Sequence, residues 1–483
     1  MAKRASSVDL TFTPRPSSVA LTRWLQDEVR RAILDGRLKP GRRLPATRDF
    51  ARQYSVSRGT VVTVFEQLAS EGYLLAKTGA GTWVNDRLSA PAVTAKRPRA
   101  TTRKVPAPLL GLTFPYPPRP FRSHEPALAE FPMDVWARVA SRRLRRASSA
   151  LLAGRDIRGY RPLRNAIAEY LGASRGVNCS PDQVVVVSGV QQGLDLITRL
   201  LLKPGDTVWM EDPGYFGATT AYRNAGARIV PVPVDQDGIC VSVGQQIAPA
   251  AKTAYVTPGH QFPLGVTMSL ERRIALISWA QQAGAFIIED DYDSEYRFEE
   301  RPVPALQGLD KSGSVILLGS FNKLLFPALC LGYIVVPHAL IDQVLDLRFG
   351  TALHSSDLDQ ATLSDFIVEG CLGRHLRRMR ELYGARLAAL LDGSREYLDG
   401  VLRVPPVGAG LFTVGILQNG LTSREAEEAA ASRDLETMGL DRFTLKRKDV
   451  QGLVLGFAAF DQTRIRNSLA VLAAALEIPS RRR

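Results

Sequence analysis

Apolar residues near the start of the chain recur at the spacing of a helix that buries one face. Leu21, Leu25, Val29 and Ile33 follow one another at intervals of four, and Gly36 is placed to end that helix. The next stretch, "LPATRDFARQY", has the length and composition of a second, short helix. The pattern therefore predicts two consecutive helices joined by a glycine-containing turn.

A third helix and a hairpin follow. Ser57 is a suitable N-cap, and the residues after it form one apolar stripe, made of Val61, Val64, Phe65 and Leu68. "GYLLAKTGAGTWV" then predicts two short strands around a Thr-Gly-Ala-Gly turn. Three helices followed by a hairpin predict a winged helix-turn-helix domain.

From about residue 109 the pattern changes to apolar strands that alternate with amphipathic helices. "DQVVVVSG", "DTVWMEDPGY", "KTAYVTPGH", "GAFIIEDDYD" and "SVILLGSFNK" are predicted strands, with helices such as "LERRIALISWAQQAG" between them. Such alternation favours an α/β fold with a mostly parallel sheet covered by helices on both faces. Ligands of these sheets bind beyond the carboxyl ends of the strands.

Three regions result from this pattern: a winged helix-turn-helix domain over 15–84, a linker over 85–108 and a large domain over 109–479. The linker, "NDRLSAPAVTAKRPRATTRKVPAP", is rich in Pro, Ala, Thr and basic residues and has no periodicity. It is expected to be extended and to add non-specific affinity for a polyanion.

Charge separates the regions further. Residues 1–104 hold 20 Lys and Arg against 8 Asp and Glu, whereas residues 105–483 hold 42 against 40. A basic domain joined to a nearly neutral one indicates a polyanion partner for the first domain, although a solvated charged surface would look the same.

The spacing of the cysteines and the hydropathy of the chain indicate the cellular compartment of the protein. The four cysteines are far apart and form no CxxC pair, and the histidines show no metal-ligand spacing, so neither a disulfide framework nor a metal site is predicted. No signal peptide is evident, and no apolar run approaches the ~18 residues of a membrane span. A cytoplasmic protein is expected.

The polar front of the third helix is the predicted DNA contact. In a winged helix-turn-helix this part enters the major groove of double-stranded DNA, while surrounding groups hold the phosphates. The candidate residues are Ser57, Arg58 and Thr60 on the third helix, Arg48 on the second, and Lys77, Thr78 and Gly79 at the hairpin tip. A helical protein-interaction module is the alternative.

Polar side chains also stand at successive strand ends of the large domain. They comprise the turn Gly189–Gly193, where free N–H groups suit a phosphate, together with Tyr215, Asp290, Tyr292 and Lys323. A pyridoxal 5′-phosphate (PLP) site needs this set of groups: an anion-binding turn, a carboxylate, a phenol, a flat aromatic ring and an amine. Each residue alone has an ordinary structural explanation, such as a capping Asp or a core Tyr.

The motifs resemble a known family. Residues 21–84 are similar to GntR-type heads in "AILDGRLKPGRRLPATRDFARQYSVSRGTV" and "GAGTWV". Residues 150–470 resemble fold-type I aminotransferases in "SGVQQGLDL", "MEDPGYFG", "IIEDDYDSEYRF" and "GSFNKLLFPALCLGY". Their union resembles the MocR-type (GabR- and PdxR-like) bacterial regulators, which implies a PLP-binding effector domain with a small C-terminal α+β subdomain.

The resemblance assigns a role to each site residue. Lys323 would hold the cofactor as a Schiff base, and Asp290 would face its pyridinium nitrogen. Tyr292 would donate to the phenolic oxygen, and Tyr215 would stack on the ring. Val190, Gln191 and Ser320 would surround the phosphate.

Three positions depart from the family pattern. Asn322 stands where a serine usually precedes the lysine, and Cys330 replaces an arginine that holds the phosphate. Val454 aligns with the arginine that anchors a substrate carboxylate. Losing these guanidinium groups is expected to weaken cofactor binding and to hold a substrate loosely.

Three functions remain open from the sequence. The first is a homodimeric regulator that binds operator DNA and senses PLP or a PLP–amine adduct. The second is an active aminotransferase with an accessory DNA-binding head, and the third is a cofactor-free scaffold. The altered pocket favours the regulator, in which Lys323 exchanges amines but turns over no amino acid at a useful rate.

Overall fold

The computed structural model describes residues 10–77, 81–87, 116–154, 156–298, 304–351 and 355–477. The chain divides into two compact units, Met1–Leu112 and Thr113–Arg483, each described by itself. The predicted linker over 85–108 falls mostly outside the described residues, so the domain limits of 15–84, 85–108 and 109–479 stay predictions.

The first unit is a three-helix domain with a hairpin. Its elements are α1 (Leu21–Leu34), α2 (Thr47–Gln53), α3 (Arg58–Ser70), β1 (Leu74–Lys77) and β2 (Gly81–Val84). The predicted apolar stripe of α3 is fully buried, and it packs with Leu25, Val29 and Phe50 in one core. The winged helix-turn-helix predicted from periodicity is confirmed.

An eight-stranded sheet forms the centre of the second unit. Its strands are β3 (Val184–Val187), β4 (Thr207–Asp212), β5 (Arg228–Asp235), β6 (Gly238–Ile239), β7 (Thr253–Val256), β8 (Phe286–Asp291), β9 (Val315–Ser320) and β10 (Gly332–Val335). They lie in the order β3-β10-β9-β8-β7-β4-β5-β6. The run from β9 to β5 is parallel, and β10 is antiparallel to both of its neighbours.

Helices cover both faces of this sheet. They are α4 (Met133–Arg145), α5 (Ser149–Ala153), α6 (Arg161–Arg175), α7 (Val190–Leu201), α8 (Phe216–Asn224), α9 (Val241–Ile247), α10 (Leu270–Ala283), α11 (Leu306–Leu309), α12 (Ile341–Phe349) and α13 (Asp357–Val368). Successive side chains of a strand point to opposite faces. Val184 and Val186 accordingly join one apolar core, and Val185 and Val187 join another. This two-sided burial explains the uninterrupted valine run.

A smaller antiparallel sheet completes the second unit. It contains β11 (Leu402–Arg403), β12 (Phe412–Leu417), β13 (Met438–Gly439) and β14 (Gly452–Gly456), in the order β11-β12-β14-β13. The long helix α14 (Cys371–Tyr397) and α15 (Ser423–Ala431) pack against it, and α16 (Gln462–Leu476) packs against both of these helices. The predicted α/β class with a C-terminal α+β subdomain is confirmed. Among the described residues, none of the helices has the length and apolar character to cross a bilayer.

Candidate nucleic-acid interface and cofactor site

The front of α3 presents the residues predicted to contact DNA. Ser57 caps the helix, because its hydroxyl accepts the Thr60 N–H at 3.0 Å and lies 2.8 Å from the Thr60 hydroxyl. Arg58 follows on the first turn and is exposed, as is Arg48 on α2. Four of the predicted residues are thus accessible or partly accessible, and the Ser57 hydroxyl already has a structural role.

Most of the hairpin tip lies outside the described residues. Lys77 ends β1, and its side chain, Thr78 and Gly79 are not among the described residues, so their predicted role stays a prediction. One exposed arginine near the hairpin was not among the residues predicted to contact DNA. Arg43 is exposed, and its guanidinium lies 5.5 Å from the centre of the Trp83 ring on β2. Its only sequence signal was membership of the basic run "GRR".

Lys323 lies on the loop directly after β9, at the carboxyl edge of the large sheet. Its ammonium group donates a hydrogen bond to the main-chain oxygen of His124 at 3.0 Å. Burial lowers the pKa of Lys323 to about 8, although the negative charges of Glu125 and Asp293 oppose the shift. The amine is therefore held in place and is more easily deprotonated than an exposed lysine.

Asp290 stands near the end of the neighbouring strand β8 and is buried. The Tyr255 hydroxyl donates to its Oδ2 at 2.6 Å, whereas Oδ1 has no hydrogen-bond partner. Burial raises the pKa of Asp290 to about 7, and the charges of Asp291 and Asp293 add to the shift while the Tyr255 hydrogen bond opposes it. A carboxylate with one free buried oxygen suits a ligand that supplies a proton or a positive charge.

The N-terminus of helix α7 and a flat aromatic ring lie on the same edge. Helix α7 begins at Val190, and the Gln191 amide donates to the Gly217 oxygen at 3.1 Å. The Tyr215 ring lies 6.4 Å from the Tyr255 ring at an interplanar angle of 29°. Burial raises the pKa of Tyr215 to about 12. The free N–H groups of the α7 N-terminus thus stand beside an aromatic surface.

The loop after β9 contains two residues that depart from the family pattern, Asn322 and Cys330. The Ser320 hydroxyl accepts the Asn322 N–H at 3.2 Å, and the Asn322 side-chain oxygen accepts the Leu331 N–H at 3.0 Å. Asn322 therefore ties the lysine loop to the start of β10. Cys330 is exposed, has a left-handed φ of 49° and donates weakly to the Pro327 oxygen at 3.5 Å. Its thiol cannot supply the bidentate, charged contact of an arginine.

Tyr292 has a local partner that the sequence did not indicate. Its hydroxyl donates to the His260 main-chain oxygen at 2.8 Å and lies 3.2 Å from His260 Nδ1. That nitrogen is also 3.1 Å and 3.2 Å from the two Asp293 oxygens. The predicted role of Tyr292 as a donor to a cofactor stays a prediction. His260 was missed because one histidine inside "TPGHQFPLG" has no spacing signal.

A segment from Pro120 to Ala127, named here the strap, carries His124 to the lysine. Its Phe121 oxygen accepts the Gly456 N–H at 2.9 Å, and Arg122 pairs with Glu436 at 2.7 Å. At its end, the Ala127 N–H donates to the Tyr383 hydroxyl at 3.0 Å. His124 itself has a left-handed φ of 61°, which is uncommon for a residue with a side chain. The strap thus connects the lysine site to the C-terminal subdomain.

Comparison with known proteins places both units. Residues 21–84 match the family described as bacterial regulatory proteins, gntR family, and residues 125–434 match aminotransferase class I and II. The chain is 40% identical over 472 residues to the probable rhizopine catabolism regulatory protein MocR of Rhizobium meliloti, which covers 95% of this chain and 94% of that protein. It belongs to the MocR-type regulators.

Other relatives agree with the MocR-type assignment. The pyridoxine biosynthesis transcriptional regulator PdxR of Corynebacterium glutamicum is 31% identical over 94% of this chain and 95% of its own. In structure, the second unit resembles LysN, an α-aminoadipate aminotransferase of Thermus thermophilus complexed with N-(5′-phosphopyridoxyl)-L-leucine. That match has a TM-score of 0.68 and 28% identity, and it covers 74% of this chain and 91% of LysN. This MocR-type regulator therefore combines a GntR-type head, which implies DNA binding, with an aminotransferase-like domain.

The residue predicted to align with a substrate-binding arginine, Val454, has only apolar surroundings in this MocR-type chain. Val454 is fully buried on β14, opposite Val414 of β12. It belongs to an apolar cluster that also contains Phe262, Phe412 and Phe443. The side chains packed around Val454 are therefore hydrocarbon, and its alignment with a carboxylate-binding arginine stays a prediction.

Proposed function

We propose that this transcriptional regulator binds PLP through Lys323 and that the cofactor, alone or joined to an effector amine, modulates the binding of operator DNA by the winged helix-turn-helix domain. When bound, PLP supplies an aldehyde carbon that condenses with amines and an electron-poor ring. The observation that carries the proposal is the buried Asp290 Oδ1, which has no partner, on the strand next to the one that leads to the Lys323 amine.

The polar groups of the site fit the two ends of the cofactor. Asp290 can accept a hydrogen bond from a ring N–H, and Tyr255 fixes the carboxylate in position from its other oxygen. A charge-assisted contact of this kind keeps the ring nitrogen protonated. Lys323 reaches the aldehyde end, and its lowered pKa makes the neutral, nucleophilic form accessible near pH 8.

The phosphate end fits the start of α7. The free N–H groups at Val190 and Gln191 and the helix dipole favour an anion, and Ser320 ends the neighbouring β9. Gly217 lets Gln191 and Tyr215 pack closely at this end, because a Cβ there would lie 2.4 Å from the Gln191 side-chain oxygen and from the Tyr215 ring. Cys330 contributes no charge, so we expect retention weaker than that of an enzyme with an arginine at this place.

A homodimer is part of the proposal. Large apolar side chains are exposed on the second unit where α4, α5 and α13 pack together, namely Met133, Leu144, Leu152 and Val368. Exposed apolar groups on adjoining elements are typical of a protein interface. Two heads brought together in this way suit an operator with two half-sites.

Chemical labelling tests the cofactor assignment. Borohydride reduction of the protein loaded with PLP should place a pyridoxyl group on Lys323 by peptide mapping, and Lys311→Ala, at an exposed lysine before the start of β9, should change nothing. Asp290→Asn should weaken retention roughly 10- to 100-fold, as expected for the loss of a charge-assisted hydrogen bond. A label on another lysine would refute the assignment.

DNA binding tests the regulatory part. Operator DNA selected from a random pool should bind wild type and Lys323→Ala alike, but only wild type should change its affinity when PLP and an effector amine are added. Steady amino-acid turnover at about 1 s⁻¹ or faster, with no effect on DNA binding, would instead support an aminotransferase with an accessory head.

A further inference from the structure

An aromatic wall stands beside Lys323 and consists of His124, Phe262, Tyr292 and Phe412. The His124 ring lies 4.9 Å from Phe262, 4.8 Å from Phe412 and 5.9 Å from Tyr292, measured between ring centres. Phe262 and Phe412 are buried behind His124, with their ring centres 5.5 Å apart. Because the His124 oxygen also holds the lysine amine, the wall adjoins the reactive nitrogen.

Apolar residues continue this surface into the C-terminal subdomain. Val414, Val454 and Phe443 pack with Phe262 and Phe412 in one buried cluster. The rings of His124 and Tyr292 are partly exposed, so a ligand body next to Lys323 meets aromatic rings that are backed by this buried hydrocarbon. Such a surface favours an apolar group and, through the ring faces, a cation.

The charges that reach Lys323 are negative. Glu125 on the strap and Asp293 after β8 both act on its amine, and Asp290 adds a third carboxyl group to the site. His124 stays neutral, since burial and the nearby Lys323 lower its pKa well below the usual value. The wall and these carboxyl groups together form a site that suits an amine and opposes a second anion.

The arginines on the adjoining segments already have partners. In the described part of the chain, Arg122 pairs with Glu436, and Arg297 donates to the Gly259 oxygen at 3.2 Å. Arg175 pairs with Asp291 at 2.8 Å. A carboxylate buried without a cation or hydrogen-bond donors loses hydration that nothing replaces.

We propose that the effector is a primary amine with an apolar, preferably aromatic, body and no carboxylate on the carbon that bears the nitrogen. This inference rests on the proposed PLP-dependent regulation and names the chemical class of ligand for the same site. An α-amino acid would place its carboxylate against the aromatic wall or near Glu125 and Asp293, whereas an amine of the same side chain would not.

The reaction at the site is an exchange of amines that requires no oxidant or reductant. The neutral nitrogen of the effector bonds to the carbon held by Lys323, and the bond from that carbon to the lysine nitrogen breaks. Both protons of the incoming NH₂ group end on the lysine nitrogen, which leaves as a free amine. Lys323 then remains beside the His124 oxygen, which can accept its N–H.

Matched pairs of compounds test the inference with the full-length protein loaded with PLP. 2-Phenylethylamine is compared with phenylalanine, and 3-methylbutylamine with leucine, so that each pair differs only in the carboxylate. The readouts are the change in cofactor absorbance and the change in affinity for selected operator DNA. We expect each amine to half-saturate both signals at a concentration about tenfold or more below that of its amino acid, a difference of about 1.4 kcal/mol.

Variants identify the cause of the preference. Glu125→Gln should reduce the preference for amines severalfold, whereas Glu381→Gln, an equal charge change at an exposed position of α14, should leave it unchanged. Equal or tighter binding of the amino acids would overturn the inference while PLP-dependent DNA binding stands. No response to either member of any pair would also overturn it. The proposed function itself fails if PLP is not retained on Lys323.

Discussion

At the scale of single residues, the site is defined by two ionisable groups with shifted pKa values. The pKa of Lys323 is lowered to about 8 and that of Asp290 is raised to about 7, in both cases chiefly because burial disfavours the charged form. Each shift brings the pKa of the group closer to physiological pH, where the group can gain or lose a proton during a reaction.

The first prediction concerns the reactivity of Lys323. A lower pKa means more neutral amine at a given pH, roughly one molecule in ten at pH 7, compared with roughly one in three thousand for an ordinary lysine. The rate at which the cofactor-free protein reacts with PLP should therefore rise with pH and level off just above pH 8. Stopped-flow absorbance measures this profile.

Two controls accompany that profile. A blocked lysine amide in solution should keep gaining rate until about pH 10.5, because nothing desolvates its ammonium group. Asp290→Asn removes the other group of the site with a shifted pKa. The pH at which the rate levels off should stay the same. A rate for the protein that still climbs steeply above pH 9 would contradict the lowered pKa.

At the scale of elements, α3 shows how one residue serves both the helix and its surface. Ser57 caps the helix by accepting the Thr60 N–H, and it stands at the front where DNA contact is predicted. A role in stability and a role in DNA binding overlap at this position, and a single substitution to alanine would change both.

The second prediction separates these two roles. Ser57→Ala should destabilise α3 by about 0.5–2 kcal/mol, because the Thr60 N–H loses the side-chain oxygen that accepts its hydrogen bond. Ser57→Asp should keep the cap and the stability but repel phosphates and lose DNA affinity. Hydrogen exchange of the amides of residues 58–70 measures the first effect, and a DNA titration measures the second. Equal protection in Ser57→Ala and wild type would refute the capping role.

At the scale of the whole molecule, charge is divided unevenly along the chain. Residues 1–104 carry nearly all of the net charge of +14, while the aromatic wall and the buried carboxyl groups belong to the second unit. Under the proposed function, recognition of DNA and recognition of a small ligand belong to separate units of one chain.

The third prediction follows from that division. Arg48→Ala should weaken binding to all DNA sequences alike and reduce the slope of log affinity against log salt by about one, if it meets one phosphate. Arg58→Ala should cost about 1–3 kcal/mol and relax the preference at one base position. Arg145→Ala, at an exposed arginine of the second unit, is the control and should change neither. An unchanged slope in Arg48→Ala would contradict the phosphate contact.

Much of the fold follows from local patterns in the sequence. The sequence predicted the apolar stripes of the helices, the valine strand, and the position of Lys323 and Asp290 at strand ends. It could do so because the spacing of apolar residues shows which side of a helix or strand is buried. Parallel strands place their carboxyl ends on one edge, so residues at those ends are predicted to lie on the same edge of the sheet.

Only the tertiary structure decided what surrounds these groups. His124 holds Lys323 from 199 positions away, through an irregular segment that has no periodicity to read. Asn322 was predicted as a departure in cofactor binding, yet in the fold it ties its loop to Leu331. The free oxygen of Asp290 and the apolar neighbours of Val454 depend on how β7, β12 and β14 pack. Contacts of this kind arise from the meeting of distant segments, and no local pattern of side chains encodes them.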